Sequence, residues 1–184
     1  MITPLQPRSG LPDGYPFDYE RRIDLKDGRT AYVRPVVPAD AALLADEIEE
    51  IDADTLYQRF FNPAMRLDRT RVRLLTELDY HSRFALAAFV DGVGVAIARF
   101  EPSGEGRAEI AIVVKPDWRR FGLATKLISL LEEAAVERGI GELEALYLAQ
   151  NHAIERVLEK RGFGSVEIDS GVARVTKMLR SEPS

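Results

Sequence analysis

Four basic residues surround the expected start of one helix in the second half of the chain. They are Lys115, Arg119, Arg120 and Lys126, and Gly122 lies among them. The start of a helix already carries partial positive charge, so added cations repel it unless an anion lies between them. Unpaired backbone N–H groups, a glycine that permits close approach and two arginines together suit a phosphate group. From spacing alone, a loop with two solvated arginines fits equally well.

Two further features lie near this loop. Glu109 is a single carboxylate at the start of an apolar strand that runs into the loop, and Asn151 and Gly162-Phe163 bracket a later helix. A carboxylate can act as a general base, although a charged residue at the end of a strand is also common. Asn151 suits a helix N-cap. The G-x-x-x-x-G-K-[ST] and G-x-G-x-x-G patterns of nucleotide-binding loops are absent.

The elements that position these residues follow from hydrophobic periodicity and turn residues. Asp-Gly and Ser-Gly pairs predict hairpins over 21–35, 83–101 and 164–179. Further strands are expected over 108–115 and 142–149, and helices over 38–51, 52–61, 67–78, 121–138 and 152–161. This order predicts a mixed α/β (α+β) fold with a largely antiparallel sheet.

The composition of the chain disfavours several classes of function. The 184 residues carry a net charge of −5, which disfavours binding to nucleic acid. No apolar run in the sequence is long enough to span a membrane. There is no cysteine and there are only two histidines, so we expect no metal site, no disulfide and no thiol nucleophile. The N-terminus lacks the apolar core of a signal peptide, and we expect a cytoplasmic protein. Residues 1–19 are expected to form a mobile or loosely docked arm, and residues 20–180 one domain.

The loop sequence resembles a known family. Arg119, Gly122 and Ala124 match the [QR]-x-x-G-x-[GA] pattern at the acyl-CoA site of the GNAT superfamily of N-acetyltransferases. The stretches "LKDGRTAYVRPVVPAD", "LYQRFF", "LTELDY" and "AEIAIVVKPDWRRFGLA" extend the likeness. Over roughly 20–179 the chain is similar to the catalytic domain of Pat-type bacterial protein lysine acetyltransferases. The resemblance implies a GNAT fold, in which two sheet strands splay into a V.

The resemblance also implies roles for individual residues. Acetyl-CoA would be the co-substrate, and Glu109 would be the general base that takes a proton from the attacking amine. The cofactor site would comprise Ile112, Val113, Val114, Arg119, Arg120, Phe121, Gly122, Leu123, Ala124, Thr125 and Asn151. Many members have a tyrosine that protonates the leaving thiolate. Leu158 occupies that position here, and Tyr147 is a possible substitute, so the general acid stays unassigned.

The sequence leaves the acceptor of the acetyl group open. The resemblance implies a lysine side chain of another protein, and suggests an acyl-CoA synthetase. A small-molecule amine acetyltransferase and a non-catalytic acyl-CoA-binding domain are the alternatives. The segment 38–78, including Tyr57, Arg59 and Phe60, is expected to build the acceptor side. Several Pat-type proteins carry an extra regulatory domain, and we expect this chain either to lack that control or to be a fragment.

Overall fold

The structure is a computed structural model that describes residues 10–41 and 69–179. Its helices are α1 (Arg69–Thr76), α2 (Leu123–Glu137) and α3 (His152–Lys160). Its strands are β1 (Arg21–Asp24), β2 (Thr30–Pro35), β3 (Phe84–Val90), β4 (Val93–Gly104), β5 (Arg107–Val114), β6 (Glu142–Leu148), β7 (Gly164–Asp169) and β8 (Val172–Met178). Short 3₁₀ turns cover Phe17–Tyr19, Pro38–Asp40 and Pro116–Trp118.

The strands form one sheet in the order β1-β2-β3-β4-β5-β6-β8-β7. Among these described strands, β5 and β6 are the only parallel neighbours, and every other neighbouring pair is antiparallel. A parallel pair needs a long crossover connection, and the segment with α2 supplies it. The predicted mixed, mostly antiparallel α/β fold is confirmed.

The core lies between α2 and one face of the sheet. Leu127 and Leu131 of α2 are completely buried, in one cluster with Phe100 of β4, Ile110 of β5 and Leu143 of β6. These leucines recur at helical spacing, whereas the strand residues alternate between the two faces of the sheet. The side chains next to Ile110 in sequence, including Glu109, therefore lie on the opposite face.

A C-terminal cap explains the Gly162-Phe163 pair that follows α3. Gly162 has a left-handed φ of 82°, and its N–H donates to the carbonyl of Glu159. The N–H of Phe163 donates to the carbonyl of Leu158, and both of these apolar side chains are buried. This is a Schellman motif with its usual apolar contact. It ends the helix and turns the chain into β7.

The boundaries differ from expectation in detail. The segment 103–107 lies between the hairpin expected over 83–101 and the strand expected over 108–115. It contributes to β4 as far as Gly104 and to β5 from Arg107, and only a tight turn remains between them. The described part of the expected N-terminal arm packs on the core, where Tyr15 and Tyr19 are buried. Residues 42–51 of the helix expected over 38–51 lie outside the described residues, as does all of the helix expected over 52–61, with Tyr57, Arg59 and Phe60.

Candidate active site

The parallel pair β5–β6 opens partway along its length. Its ladder runs from Arg107 opposite Glu142 to Ile110 opposite Ala145, and ends there. On its other side, β5 stays paired with β4 as far as Val114. The last part of β5 thus has a ladder on one side and an opening toward β6 on the other. This is the V-shaped splay that was expected.

A cleft of about 560 Å³ occupies this opening and extends to the start of α2. Its walls come from β5, β6, α3 and the loop between β5 and α2. Most of the predicted cofactor residues line it, namely Ile112, Val113, Val114, Arg119, Arg120, Gly122, Leu123, Ala124, Thr125 and Asn151. Phe121 does not line the cleft, because its partly buried ring packs against the core. Nine residues between positions 112 and 125 and the more distant Asn151 thus meet at one surface.

The loop before α2 presents backbone donors to this cleft. Arg120 and Gly122 both adopt left-handed conformations, with φ of 69° and 88°, and Gly122 is the N-cap of α2. The N–H groups of the first helical turn have no acceptor within the helix. Arg119 Nε donates to the carbonyl of Val114 at 3.0 Å, which ties the loop to the end of β5. The arrangement can bind an anion through backbone amides and arginine side chains together.

The charge of the cleft is opposite to that of the chain. The cleft wall carries five cationic side chains, and no carboxylate lines it in the described part of the chain. The cations are Lys26, Arg119, Arg120, Arg156 and Lys160. Such a concentration in a protein of net charge −5 favours a polyanionic ligand. Sequence reasoning missed Lys26, Arg156 and Lys160, since none belongs to the R-x-x-G-x-A pattern.

Asn151 serves the structural role that its position predicted. Its Oδ1 accepts a hydrogen bond from the N–H of Ile154 at 3.3 Å, so it caps α3. Because it also lines the cleft, capping and ligand contact are compatible. Leu158 is 2% exposed and lines the same cleft, without a proton to donate. Tyr147 of β6 also lines it, and burial, with the charges of Glu155 and Glu159, raises its pKa.

Glu109 lies on the other face of β5, just before the splay. The half-buried residue does not line the cleft, but the next residue, Ile110, does. Its register partners are Glu101 on β4 and Glu144 on β6, so three carboxylates form a row across the sheet. Arg83 lies 3.6 Å from Glu101, and Arg174 lies 3.7 Å from Glu144. Arg99 also donates to Glu101, and Glu144 is 6% exposed, so both neighbours of Glu109 in the row are already paired with arginines.

Neither a metal cluster nor a membrane span is found within residues 10–41 and 69–179. No group of three or more metal-ligating side chains occurs there. None of the described helices is both long and apolar enough to cross a membrane.

Residues 45–163 match the family model described as Acetyltransferase (GNAT) family. The chain is 29% identical over 154 residues to the acetyltransferase Pat of Mycolicibacterium smegmatis, covering 82% of this chain and 46% of that protein. It thus spans about half the length of that relative.

Two solved structures of similar fold superpose on this chain. The GNAT domain of S. lividans PAT superposes with a TM-score of 0.83 at 31% identity, covering 90% of this chain and 99% of that one. The protein yncA of Salmonella typhimurium, solved with its cofactor acetyl-CoA, superposes with a TM-score of 0.67 at 21% identity. That superposition covers 84% of this chain and 96% of the Salmonella protein.

Proposed function

The chain belongs to the acetyltransferase (GNAT) family, and from this premise we propose that it moves the acetyl group of acetyl-CoA to a lysine side chain of another protein. The observation that carries the proposal is the cationic cleft. This cleft occupies the β5–β6 splay and extends to the N-terminus of α2. A single cleft of this kind suits both the pyrophosphate and the pantetheine arm of one acyl-CoA molecule. The fold shared with yncA, which was solved with acetyl-CoA, supports it.

Acetyl-CoA would contact two parts of the cleft. Its pyrophosphate would lie on the first-turn N–H groups of α2, with charge-assisted contacts from Arg119 and Arg120. The pantetheine arm would run along Ile112, Val113 and Val114, whose strand edge faces the opening rather than β6. Asn151 would bound the arm from the α3 side. A backbone N–H near Val113 or Val114 would donate to the thioester carbonyl and stabilise the oxyanion.

The reaction would proceed by direct attack. The acceptor lysine arrives as an ammonium with a reference pKa of about 10.4, so it must lose a proton first. Glu109 would accept that proton, directly or through water. The neutral amine nitrogen then forms a C–N bond to the thioester carbon and the C–S bond breaks. The CoA thiolate leaves, and the second proton of the nitrogen passes to this thiolate or to water as the amide forms. With no cysteine in the chain, the usual thiol route to an acyl-enzyme is closed.

The leaving thiolate needs little help from the protein. Its reference pKa of about 8.5 makes it a tolerable anion, so the loss of the usual tyrosine at Leu158 is compatible with turnover. Tyr147 is the phenol that the described cleft wall offers, beside the aliphatic hydroxyl of Thr125, and its raised pKa keeps it protonated.

The preferred acceptor follows from the resemblance of the sequence to Pat-type protein lysine acetyltransferases. An acyl-CoA synthetase lysine is the acceptor we would test first, in a reaction that takes place in the cytoplasm. The carboxylate of Glu109, next to the open end of β5, suits a cationic side chain that arrives from that face.

The test is release of free CoA from acetyl-CoA, followed with a thiol reagent. Because the chain contains no cysteine, it contributes no thiol background. Native protein is compared with Glu109→Gln and with Glu105→Gln, which makes the same change on the exposed turn between β4 and β5. The acceptors are a lysine-bearing acyl-CoA synthetase and, separately, small amines. Each variant is also titrated with acetyl-CoA by calorimetry.

We expect release with the synthetase to fall about 10²- to 10⁴-fold in Glu109→Gln, at unchanged acetyl-CoA affinity, and to be unaffected in Glu105→Gln. Release with small amines alone would favour a metabolite acetyltransferase. Acetyl-CoA binding without release would favour a binding domain. Absence of binding would remove the basis of the proposed site.

A further inference from the structure

The turn between β1 and β2 is attached to the loop that precedes α2. The backbone N–H of Lys26 donates to the carbonyl of Phe121 at 3.1 Å. The guanidinium of Arg29 lies over the ring of Trp118 at 3.8 Å and over that of Phe121 at 5.0 Å. Asp27 holds Arg29 through a hydrogen bond of 2.6 Å to its Nε. A hairpin from the start of the chain thus buttresses the anion-binding loop.

The side chain of Lys26 passes over Gly122, the N-cap of α2. A Cβ atom built on Gly122 would lie 3.5 Å from Lys26 Cε and 3.7 Å from Lys26 Cγ. The absence of a side chain on Gly122 therefore leaves room for the aliphatic stem of this lysine. Lys26 also lines the cleft. Its ammonium group, one bond beyond Cε, is therefore close to the N-cap residue of α2.

Holding the hairpin in place does not require this ammonium group. The backbone of Lys26 and the stacked Arg29 make the contacts between hairpin and loop. The Lys26 side chain is exposed, and its Nζ makes no hydrogen bond or ion pair with residues 10–41 and 69–179. A cation beside a helix N-terminus is unfavourable without an anion. The arrangement is favourable once a phosphate group lies between them.

We propose that Lys26 is a binding residue for the pyrophosphate of acetyl-CoA, supplied from the β1–β2 turn and outside the R-x-x-G-x-A loop. The inference rests on the proposed use of acetyl-CoA. The pyrophosphate, rather than the 3′-phosphate of the nucleotide, is the group concerned, because Lys26 crosses the N-cap residue where the helix amides converge. Arg29 and Asp27 act as positioning residues that keep the turn on the loop.

Calorimetric titration with two ligands tests this assignment. The ligands are acetyl-CoA and S-acetyl-3′-dephospho-CoA, which retains the pyrophosphate and lacks the 3′-phosphate. The proteins are native, Lys26→Met, Lys26→Arg and Arg22→Met. Arg22→Met is the matched control, because Arg22 is exposed on the same hairpin and does not line the cleft. Thermal denaturation of each variant reports whether the hairpin still folds.

We expect Lys26→Met to weaken both ligands about tenfold, which corresponds to one charge-assisted hydrogen bond. Lys26→Arg should retain most of the affinity, and Arg22→Met should bind as the native protein does. A loss confined to acetyl-CoA would assign Lys26 to the 3′-phosphate and overturn the proposal. Unchanged affinity for both ligands would overturn it as well. Failure of native protein to bind acetyl-CoA would instead contradict the proposed function.

Discussion

Replacement of Asp40 by alanine should destabilise the fold strongly. Asp40 follows β2 and is 4% exposed, and its partner Arg34 is 5% exposed. The guanidinium donates two parallel hydrogen bonds to the carboxylate, at 2.7 and 2.8 Å. The N–H of Val37 donates to the same carboxylate at 2.9 Å. The pair fixes the path by which the chain leaves the sheet toward residues 42–68.

The size of the effect follows from burial. Removing one partner of a buried ion pair leaves an uncompensated charge and costs about 3–5 kcal/mol. Part of that cost here comes from the N–H of Val37, which loses its acceptor. A domain typically has about 5–15 kcal/mol of total stability, so this single change removes a large share. Replacing both partners by apolar residues of similar size should cost far less.

Urea unfolding measures this difference. With a slope of about 2 kcal/mol per molar urea, Asp40→Ala should lower the midpoint by roughly 2 M. The double variant Arg34→Met/Asp40→Leu should recover most of the loss. Glu77→Ala is the control, because the Arg73–Glu77 pair has a similar distance of 2.8 Å but side chains 70% and 50% exposed. If Asp40→Ala lowered the midpoint as little as Glu77→Ala does, the assigned role of burial would be refuted.

Three further outcomes are expected. Burial, with other contributions, raises the pKa of Tyr32 to about 12 and that of Tyr80 to about 12. The stability that these tyrosines contribute is complete below the unfolded-state pKa of about 10 and is lost as pH rises toward 12. The urea midpoint should therefore fall between these two pH values. An absorbance titration should show that these tyrosines ionise at higher pH than an exposed tyrosine does. Gly122→Ala places a Cβ in a left-handed conformation at a cost of roughly 1–2 kcal/mol and should weaken acetyl-CoA binding in calorimetry. Asn151→Ala removes the cap of α3 and should cost about 1 kcal/mol in thermal denaturation. A urea midpoint that did not change with pH would contradict the first expectation. An unchanged affinity for acetyl-CoA would contradict the second, and an unchanged thermal midpoint would contradict the third.

Local patterns were sufficient to predict most of the described elements. The Asp27-Gly28 turn, the helical spacing of the leucines in α2 and the Asn151 cap each depend on neighbours in sequence. The end of β4 was harder to predict, because Pro102 and Gly104 are typical of loops. Pairing with β5 nevertheless extends the strand to Gly104, with a register shift that accommodates these residues. Tertiary pairing overrode local preference there.

The site was predictable where one motif contained it. Arg119, Gly122 and Ala124 form a continuous pattern, so the loop could be found by inspection. Lys26 reaches the same cleft from a different hairpin, and no periodicity relates it to the loop. The row that places Glu101 and Glu144 beside Glu109 depends on strand register. Register depends on turn geometry and on which face of each strand is buried. The irregularity between Pro102 and Gly104 and the crossover through α2 kept it from being visible in the sequence.

The central claim is direct acetyl transfer to a protein lysine with Glu109 as the base. The most direct test is to follow an isotope label from acetyl-CoA to the residue that finally carries it. Acetyl-CoA labelled in its acetyl carbons is incubated with an acyl-CoA synthetase and either native protein or Glu109→Gln, and both proteins are analysed by mass spectrometry. Direct transfer with Glu109 as base predicts label on an acceptor lysine, none held covalently on the enzyme, and a loss of about 10²- to 10⁴-fold in the variant. Equal labelling by the variant would contradict the role of Glu109. Absence of labelling by native protein that binds acetyl-CoA would contradict transfer to this acceptor.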